Sequence, residues 1–175
     1  MNAKLLEKLS VIREEEQRIL RGEAQIDRSL YMDATRDVIS GDKLLKRGRI
    51  ITIRPHTRFI AFPEHTHDYV EMVYMCRGQT THRINGTELV LREGELLMLG
   101  QHARQAIAPA EEGDVAVNFI VRPVFFSGTL PFLGEEETPL RRFVVNCLTG
   151  QSETGYLLFR VADILPIQNL LENLV

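Results

Sequence analysis

The period of the apolar positions changes twice along the chain. Over residues 4–20, Leu5, Leu9, Ile12 and Ile19 recur at spacings of four, three and seven, which is the stripe of one helical face. Glu16 interrupts that stripe. Arg21-Gly22 then gives a stop signal, a cation in the last turn followed by a residue that tolerates positive φ. From 49 to 121, short stretches rich in Ile, Val, Thr, Tyr and Phe recur at 50–54, 57–62, 69–76, 80–84, 87–91, 95–99, 105–108 and 115–121. Pro63, Arg77-Gly78, Asn85-Gly86, Glu93-Gly94 and Glu112-Gly113-Asp114 punctuate them. Asn-Gly predicts a tight hairpin, because both positions accept positive φ. Many short strands at this spacing predict a mainly β sandwich or barrel, not a parallel α/β sheet.

After Pro123 the pattern weakens. Residues 127–140 hold Gly128, Pro131, Gly134, a run of glutamates and Pro139, and read as a loop. Leu157, Leu158 and Phe159 read as one more strand. Ile167, Leu170, Leu171 and Leu174 fall at i, i+3, i+4 and i+7, a second helix with Asp163 as its cap and Pro166 in its first turn. The division that follows is an N-terminal helix over 1–22, a barrel over 23–160 and the start of a further helix over 161–175. The sequence stops inside an apolar helical face, which leads us to expect a longer parent protein. Each terminal helix packs either on its own barrel or on a second subunit, and the sequence leaves both open. For the isolated chain we expect a monomer or a weak homodimer.

Composition narrows the function classes. A chain of 175 residues, 44% hydrophobic and 26% charged, supports one self-sufficient core. Its 21 basic and 24 acidic side chains give a net charge of −3, without the basic excess of a nucleic-acid-binding domain. Lys43, Lys46, Arg47 and Arg49 cluster locally and read as a solvated loop. Cys76 and Cys147 make no disulfide framework and suit buried positions in a reducing compartment. The apolar runs are too short to span a bilayer, and Met1 to Lys8 carries charges where a signal peptide needs an apolar segment. We therefore expect a cytoplasmic protein with no membrane partner. A P-loop, a dinucleotide fingerprint, a G-x-S-x-G elbow and C-x-x-C are all absent from the sequence.

The candidate chemistry concentrates in His65-Thr66-His67-Asp68-Tyr69-Val70-Glu71. Side chains two apart in a strand share a face, so His65, His67 and Glu71 can point into one cavity, with Tyr69, Val73 and Met75 beside them. Two imidazoles and a carboxylate so placed suit Zn, Mn or Fe. They equally suit hydrogen bonding to a small organic ligand or to one another, or a place at an exposed barrel mouth. Thr80, His82 and Ile84 also share a parity. His82 lines the same space if Ile84 is core, and otherwise stands on a surface edge.

The H-x-H-x-x-x-E spacing, followed by six residues and Gly78, resembles the first motif of the cupin superfamily. Gly94-Glu95-Leu96-Leu97-Met98-Leu99 matches the start of the second. Beyond it Gly100 stands where Pro is expected, His102 at the Gly position and Gln105 in place of the metal-binding His, while Phe59 replaces an earlier Gly. A closer resemblance is carried by Pro63-Glu64-His65-Thr66-His67-Asp68-Tyr69-Val70-Glu71-Met72-Val73-Tyr74-Met75-Cys76-Arg77-Gly78. This stretch is similar to the opening of the sensor domain of AraC-type transcriptional regulators, and Val117-Asn118-Phe119-Ile120-Val121-Arg122-Pro123-Val124-Phe125-Phe126 looks like that family too.

The resemblance implies a cupin-like double-stranded β-helix, a jelly-roll barrel with an N-terminal and a C-terminal helix. It implies a small-molecule effector in the barrel, helices used for dimerisation, and contact with DNA only through a C-terminal helix-turn-helix part that this chain lacks. The candidate ligand-binding residues are His65, His67, Tyr69, Glu71, Val73, Met75 and His82, joined from the opposite strand by Gln105 and Ile107. No cofactor is expected. The alternative is a small metal-dependent cupin enzyme, a dioxygenase or isomerase, with His65, His67, Glu71 and Gln105 as ligands of a divalent transition metal. Against it stand the amide at 105, a weaker ligand than imidazole, and the lack of a separate general base. A third reading is a plain interaction module whose pocket is vestigial.

Overall fold

Alternating and continuous hydrophobic runs settle in different parts of the molecule. The structure is a computed structural model that describes residues 1–23, 38–151 and 155–175. Residues 24–37 and 152–154, both within the expected 23–160 barrel segment, lie outside the described residues. The strands are β1 (Val38–Ile39), β2 (Ile51–Pro55), β3 (Phe62–His67), β4 (Val70–Arg77), β5 (Gln79–Ile84), β6 (Thr87–Arg92), β7 (Leu96–Leu99), β8 (Gln105–Ile107), β9 (Val115–Val121) and β10 (Tyr156–Phe159). They form two five-stranded sheets, ordered β1-β3-β8-β5-β6 and β10-β7-β4-β9-β2. Strand β1 runs parallel to β3, and the other pairs are antiparallel. The fold is mainly β, a cupin-like jelly roll with helices at both ends of the chain.

In β5, Thr80, His82 and Ile84 are buried while Gln79 and Arg83 are exposed, so this sheet keeps one face in water. Strands β4 and β9 are apolar almost throughout because both of their faces are covered. Val73, Met75 and Ala116 turn inward onto Ile84, Leu91, Leu97 and Leu99. Val70, Tyr74, Cys76, Val117 and Phe119 turn outward beneath the helical layer, in one cluster with Phe143, Val144, Cys147 and Leu171. The predicted Asn85-Gly86 hairpin is present, with φ of 49° and 83° at the two positions. Both cysteines are free and buried.

Four expectations are corrected. The N-terminal helix is two helices, α1 (Ala3–Ser10) and α2 (Glu14–Leu20). The cause is Glu16, whose side chain is fully buried on Arg58, itself only 3% exposed. Glu16 Oε1 accepts from Arg58 N at 3.1 Å and Arg58 Nε at 2.9 Å, and Oε2 accepts from Arg58 Nη2 at 3.0 Å and from Arg13 N at 2.9 Å. Arg58 Nη2 also donates to the Ser10 and Val11 carbonyls where α1 ends, groups a helix terminus leaves without partners. Second, residues 57–61 are not strand. Phe59 adopts a φ of 69°, and the chain loops from β2 into β3. A four-residue helix, α3 (Gly41–Leu44), follows β1.

Third, the expected loop at 127–140 contains parts of two 3-10 segments, Pro123–Gly128 and Leu130–Leu133, and the first turn of α4 (Pro139–Thr149). Thr138 caps α4 by accepting from Arg141 N, and Pro139 sits where a missing N–H costs nothing. Fourth, α5 (Leu165–Leu174) starts from Ile164 without a side-chain cap, so Asp163 does not serve as one, although Pro166 does sit in the first turn. Leu6 and Leu9 of α1 and Leu171 of α5 pack on the chain's own barrel. Tyr74 Oη donates to Gln168 Oε1 at 2.7 Å, and Gln168 Nε2 donates to the Gly94 and Val161 carbonyls, which ties α5 to the β6–β7 turn. No helix among the described residues is long and apolar enough to cross a membrane.

Candidate functional site

The inward parity of β4 continues past Val73 to Glu71 at one end of the barrel. There Glu71 stands opposite Ile120 of β9 and Leu99 of β7. Between the sheets lies a partly open cavity of about 80 Å³. Its apolar wall is Ile39, Leu44, Pro55, Ile60, Phe62, Tyr69, Ile107 and Ile120, and its polar wall is Arg54, His56, Thr57, His65, Glu71 and Asn118. Asn118 is the one polar residue in β9, where it faces Arg54 of β2. It links two other polar groups: Nδ2 donates to Glu71 Oε1 at 2.9 Å, and Oδ1 lies 3.2 Å from His56 Nδ1. His56 is positioned by its backbone, which donates to the Ala116 carbonyl at 2.9 Å and accepts from Arg13 Nη2 at 2.9 Å.

Burial governs the ionisation of these groups. It raises Glu71 to about 7, against the lowering pull of the Asn118 amide. It lowers His56 and His65, and it takes His67 and His82 down to about 3. The imidazoles are therefore neutral near pH 7. His65 Nδ1 donates to the Pro63 carbonyl at 2.8 Å and His67 Nδ1 to the Tyr69 carbonyl at 2.7 Å, since a carbonyl can only accept. His67 also stacks on the Tyr69 ring, with centroids 4.6 Å apart.

Of the nine residues singled out from sequence, His65, Tyr69, Glu71 and Ile107 line the cavity. His67, Val73, Met75, His82 and Gln105 are buried behind it. Val73 and Met75 belong to the apolar interior. His82 is fully buried and not on a surface edge. Its Nδ1 accepts from Gln105 Nε2 at 2.9 Å, and its Nε2 lies 2.9 Å from Thr80 Oγ1. Two of the acceptors in this layer, His67 Nε2 and Gln105 Oε1, are buried without a partner among the described residues. Among the described residues no three His, Cys, Asp or Glu side chains gather as a metal-holding group.

Sequence reasoning missed His56, Asn118, Arg54, Thr57, Ile60, Phe62, Ile120, Ile39, Leu44 and Pro55. Asn118 had a signal, a lone amide inside Val115–Val121. His56 had none, because the 56–61 loop has no period to place it.

Two packed sheets, antiparallel except for the β1–β3 pair, with a small, mixed polar and apolar cavity at one end suit the binding of a small molecule. The family model of the AraC-like ligand binding domain matches residues 47–120. The resemblance of the His65–Gly78 stretch to the sensor domain of AraC-type regulators is thereby borne out. Among solved structures, a ToxT variant from Vibrio cholerae in apo form is similar at 10% identity and a TM-score of 0.49, covering 74% of this chain and 49% of that one. Wild-type ToxT from the same organism, with unsaturated fatty acid bound, is similar at 11% identity and a TM-score of 0.44, covering 67% and 43%. KdgF from Halomonas sp. is similar at 12% identity and a TM-score of 0.35, covering 44% and 84%. The chain spans about half the length of the ToxT structures it matches. A comparison with curated proteins gives no match.

Proposed function

We propose that this chain is the effector-sensing domain of an AraC-type transcription regulator. The effector is a small molecule held in the cavity lined by Glu71, Asn118 and Ile120 of one sheet, Ile107 of the other, and His56. Occupancy is relayed through the terminal helices to a C-terminal helix-turn-helix part, which makes the DNA contact, and the regulator works as a homodimer in the cytoplasm. A relay of this kind requires an effector that binds one arrangement of the domain better than the other. This reading gives the chain no catalytic role and no cofactor.

The observation that carries the reading is the polar chain Glu71–Asn118–His56 buried at the wall of a cavity inside the matched segment. Polar groups are costly in a barrel interior unless partnered, and here they line a cavity a guest can enter. The test is a thermal-shift screen of metabolites against the chain and against Ile120→Trp, which fills the cavity. A saturable rise in melting temperature that vanishes in Ile120→Trp supports the proposal. Binding that survives the substitution, or no saturable ligand at all, overturns it.

A further inference from the structure

The interior at this end of the barrel is unbalanced in hydrogen-bonding capacity. The Pro63 and Tyr69 carbonyls fix the protons of His65 and His67 on Nδ1. Asn118 commits its amide nitrogen to Glu71, so its oxygen accepts from His56 Nδ1 and fixes that proton too. All three neutral rings are left with a lone pair on Nε2. Glu71 is 6% exposed and, among the described residues, makes no ion pair. Behind the cavity wall, His67 Nε2 and Gln105 Oε1 are buried acceptors with no donor among the described residues. Among the described residues of the lining, the cationic side chain is Arg54, which is only half-buried and sits on the edge strand β2.

The demand on a guest follows from that inventory. A carboxylate brings only acceptors to a wall that already has too many. A polyol brings roughly two lone pairs with each O–H. An alkylammonium brings three N–H donors, no acceptor and the charge that a buried carboxylate lacks. Its stem finds Leu44, Phe62, Ile107 and Ile120. The volume of about 80 Å³ is well below the ~150 Å³ of a cavity that takes benzene, so the guest's buried part is a few heavy atoms. Resting on the effector-domain reading above, we propose that the ligand of this cavity is a small primary amine, bound as its ammonium form between Glu71 and the Nε2 lone pairs of His56 and His65.

The experiment compares three three-carbon probes, n-propylammonium, 1-propanol and propionate, each titrated at neutral pH into the whole chain. Binding is followed by thermal shift and by amide chemical-shift perturbation. The expected result is a saturable response to n-propylammonium alone, weakened about tenfold or more in Glu71→Gln and lost in Ile120→Phe, which fills the cavity without changing charge. Retained n-propylammonium binding in Glu71→Gln overturns the proposal, as does a failure of n-propylammonium to bind saturably. An equal or stronger saturable response to propionate or 1-propanol, abolished in Ile120→Phe, overturns the amine assignment and leaves the effector reading standing. The two fail together only when the wider metabolite screen is also blank.

Discussion

The substitution Glu16→Gln tests the account of how the N-terminal helices are held. The amide preserves the shape of the side chain but removes its charge and turns N–H donors toward a guanidinium that is itself only a donor. Arg58 stays buried, 3% exposed, without its counter-ion. Breaking a buried pair from one side costs ~3–5 kcal/mol. The ionisation of Glu16 gives an independent figure. Burial alone would raise its pKa, but the Arg58 and Arg13 hydrogen bonds override that and hold it at about 2, against an ordinary 4.5. At 1.36 kcal/mol per pKa unit, that displacement amounts to about 3 kcal/mol. The sign is that of a depressed carboxyl: the stabilisation is present above pH 4.5 and drains away as pH falls toward 2.

Urea unfolding followed by circular dichroism, repeated from neutral pH downward, reads both numbers. The wild type should lose about 3 kcal/mol across that acid window in excess of any loss in the variant, whereas Glu16→Gln should start lower by a similar amount and lack this component. The double variant Glu16→Leu/Arg58→Met should recover only part of the loss, because the Ser10, Val11 and Glu112 carbonyls also lose their donor. A variant as stable as wild type at neutral pH, or one with the same acid dependence as wild type, would refute the reasoning.

Glu71→Gln should act in the opposite sense. A carboxyl raised from 4.5 to about 7 costs stability progressively as pH rises through that window, so the variant should match wild type below it and exceed it by up to ~3 kcal/mol above it, as read by chemical denaturation across pH. Gly94→Ala and Gly86→Ala form a matched pair, with φ of +78° and +83°. A Cβ at 94 would lie 2.8 Å from Ala162 Cα, whereas a Cβ at 86 meets nothing within 4 Å. Both should lose ~1–2 kcal/mol from backbone strain, and the 94 variant should lose more, with faster amide exchange at the start of α5. Leu97→Ala, emptying a fully buried position between the sheets, should cost ~2–5 kcal/mol in the same unfolding assay.

How much of this was legible depended on whether a residue's partner was near in sequence. The alternation of β5 and the Asn85-Gly86 turn are local, and both read correctly. So did the inward parity within each strand, of His65 and His67 in β3 and of Glu71, Val73 and Met75 in β4, because a strand's period is two whatever packs on it, although the sequence did not show that the two sets belong to different sheets. The discord of Glu16 in its stripe was visible, but its partner lies 42 residues away in a loop, so the break between α1 and α2 was not. The Thr138-Pro139 start of α4 was a legible signal hidden by the Gly, Pro and Glu around it. Parity could say that a side chain faces inward but not how far along the barrel axis it sits. His65 lines the cavity, whereas Gln105, its register partner in β8, and His82 are buried behind it.

The two short tethers of His65 and His67, each from a ring nitrogen to a carbonyl two residues away, have a consequence for adaptation. The orientation of those rings is written within the single heptapeptide Pro63 to Tyr69, while the apolar lining residues Ile107 and Ile120 come from strands far away in sequence. Bulk at 107 and 120 can therefore change under selection or by design, redrawing the outline of an acceptable guest, while the imidazoles keep their aim. Shape and polarity of recognition are inherited as separate modules in this barrel.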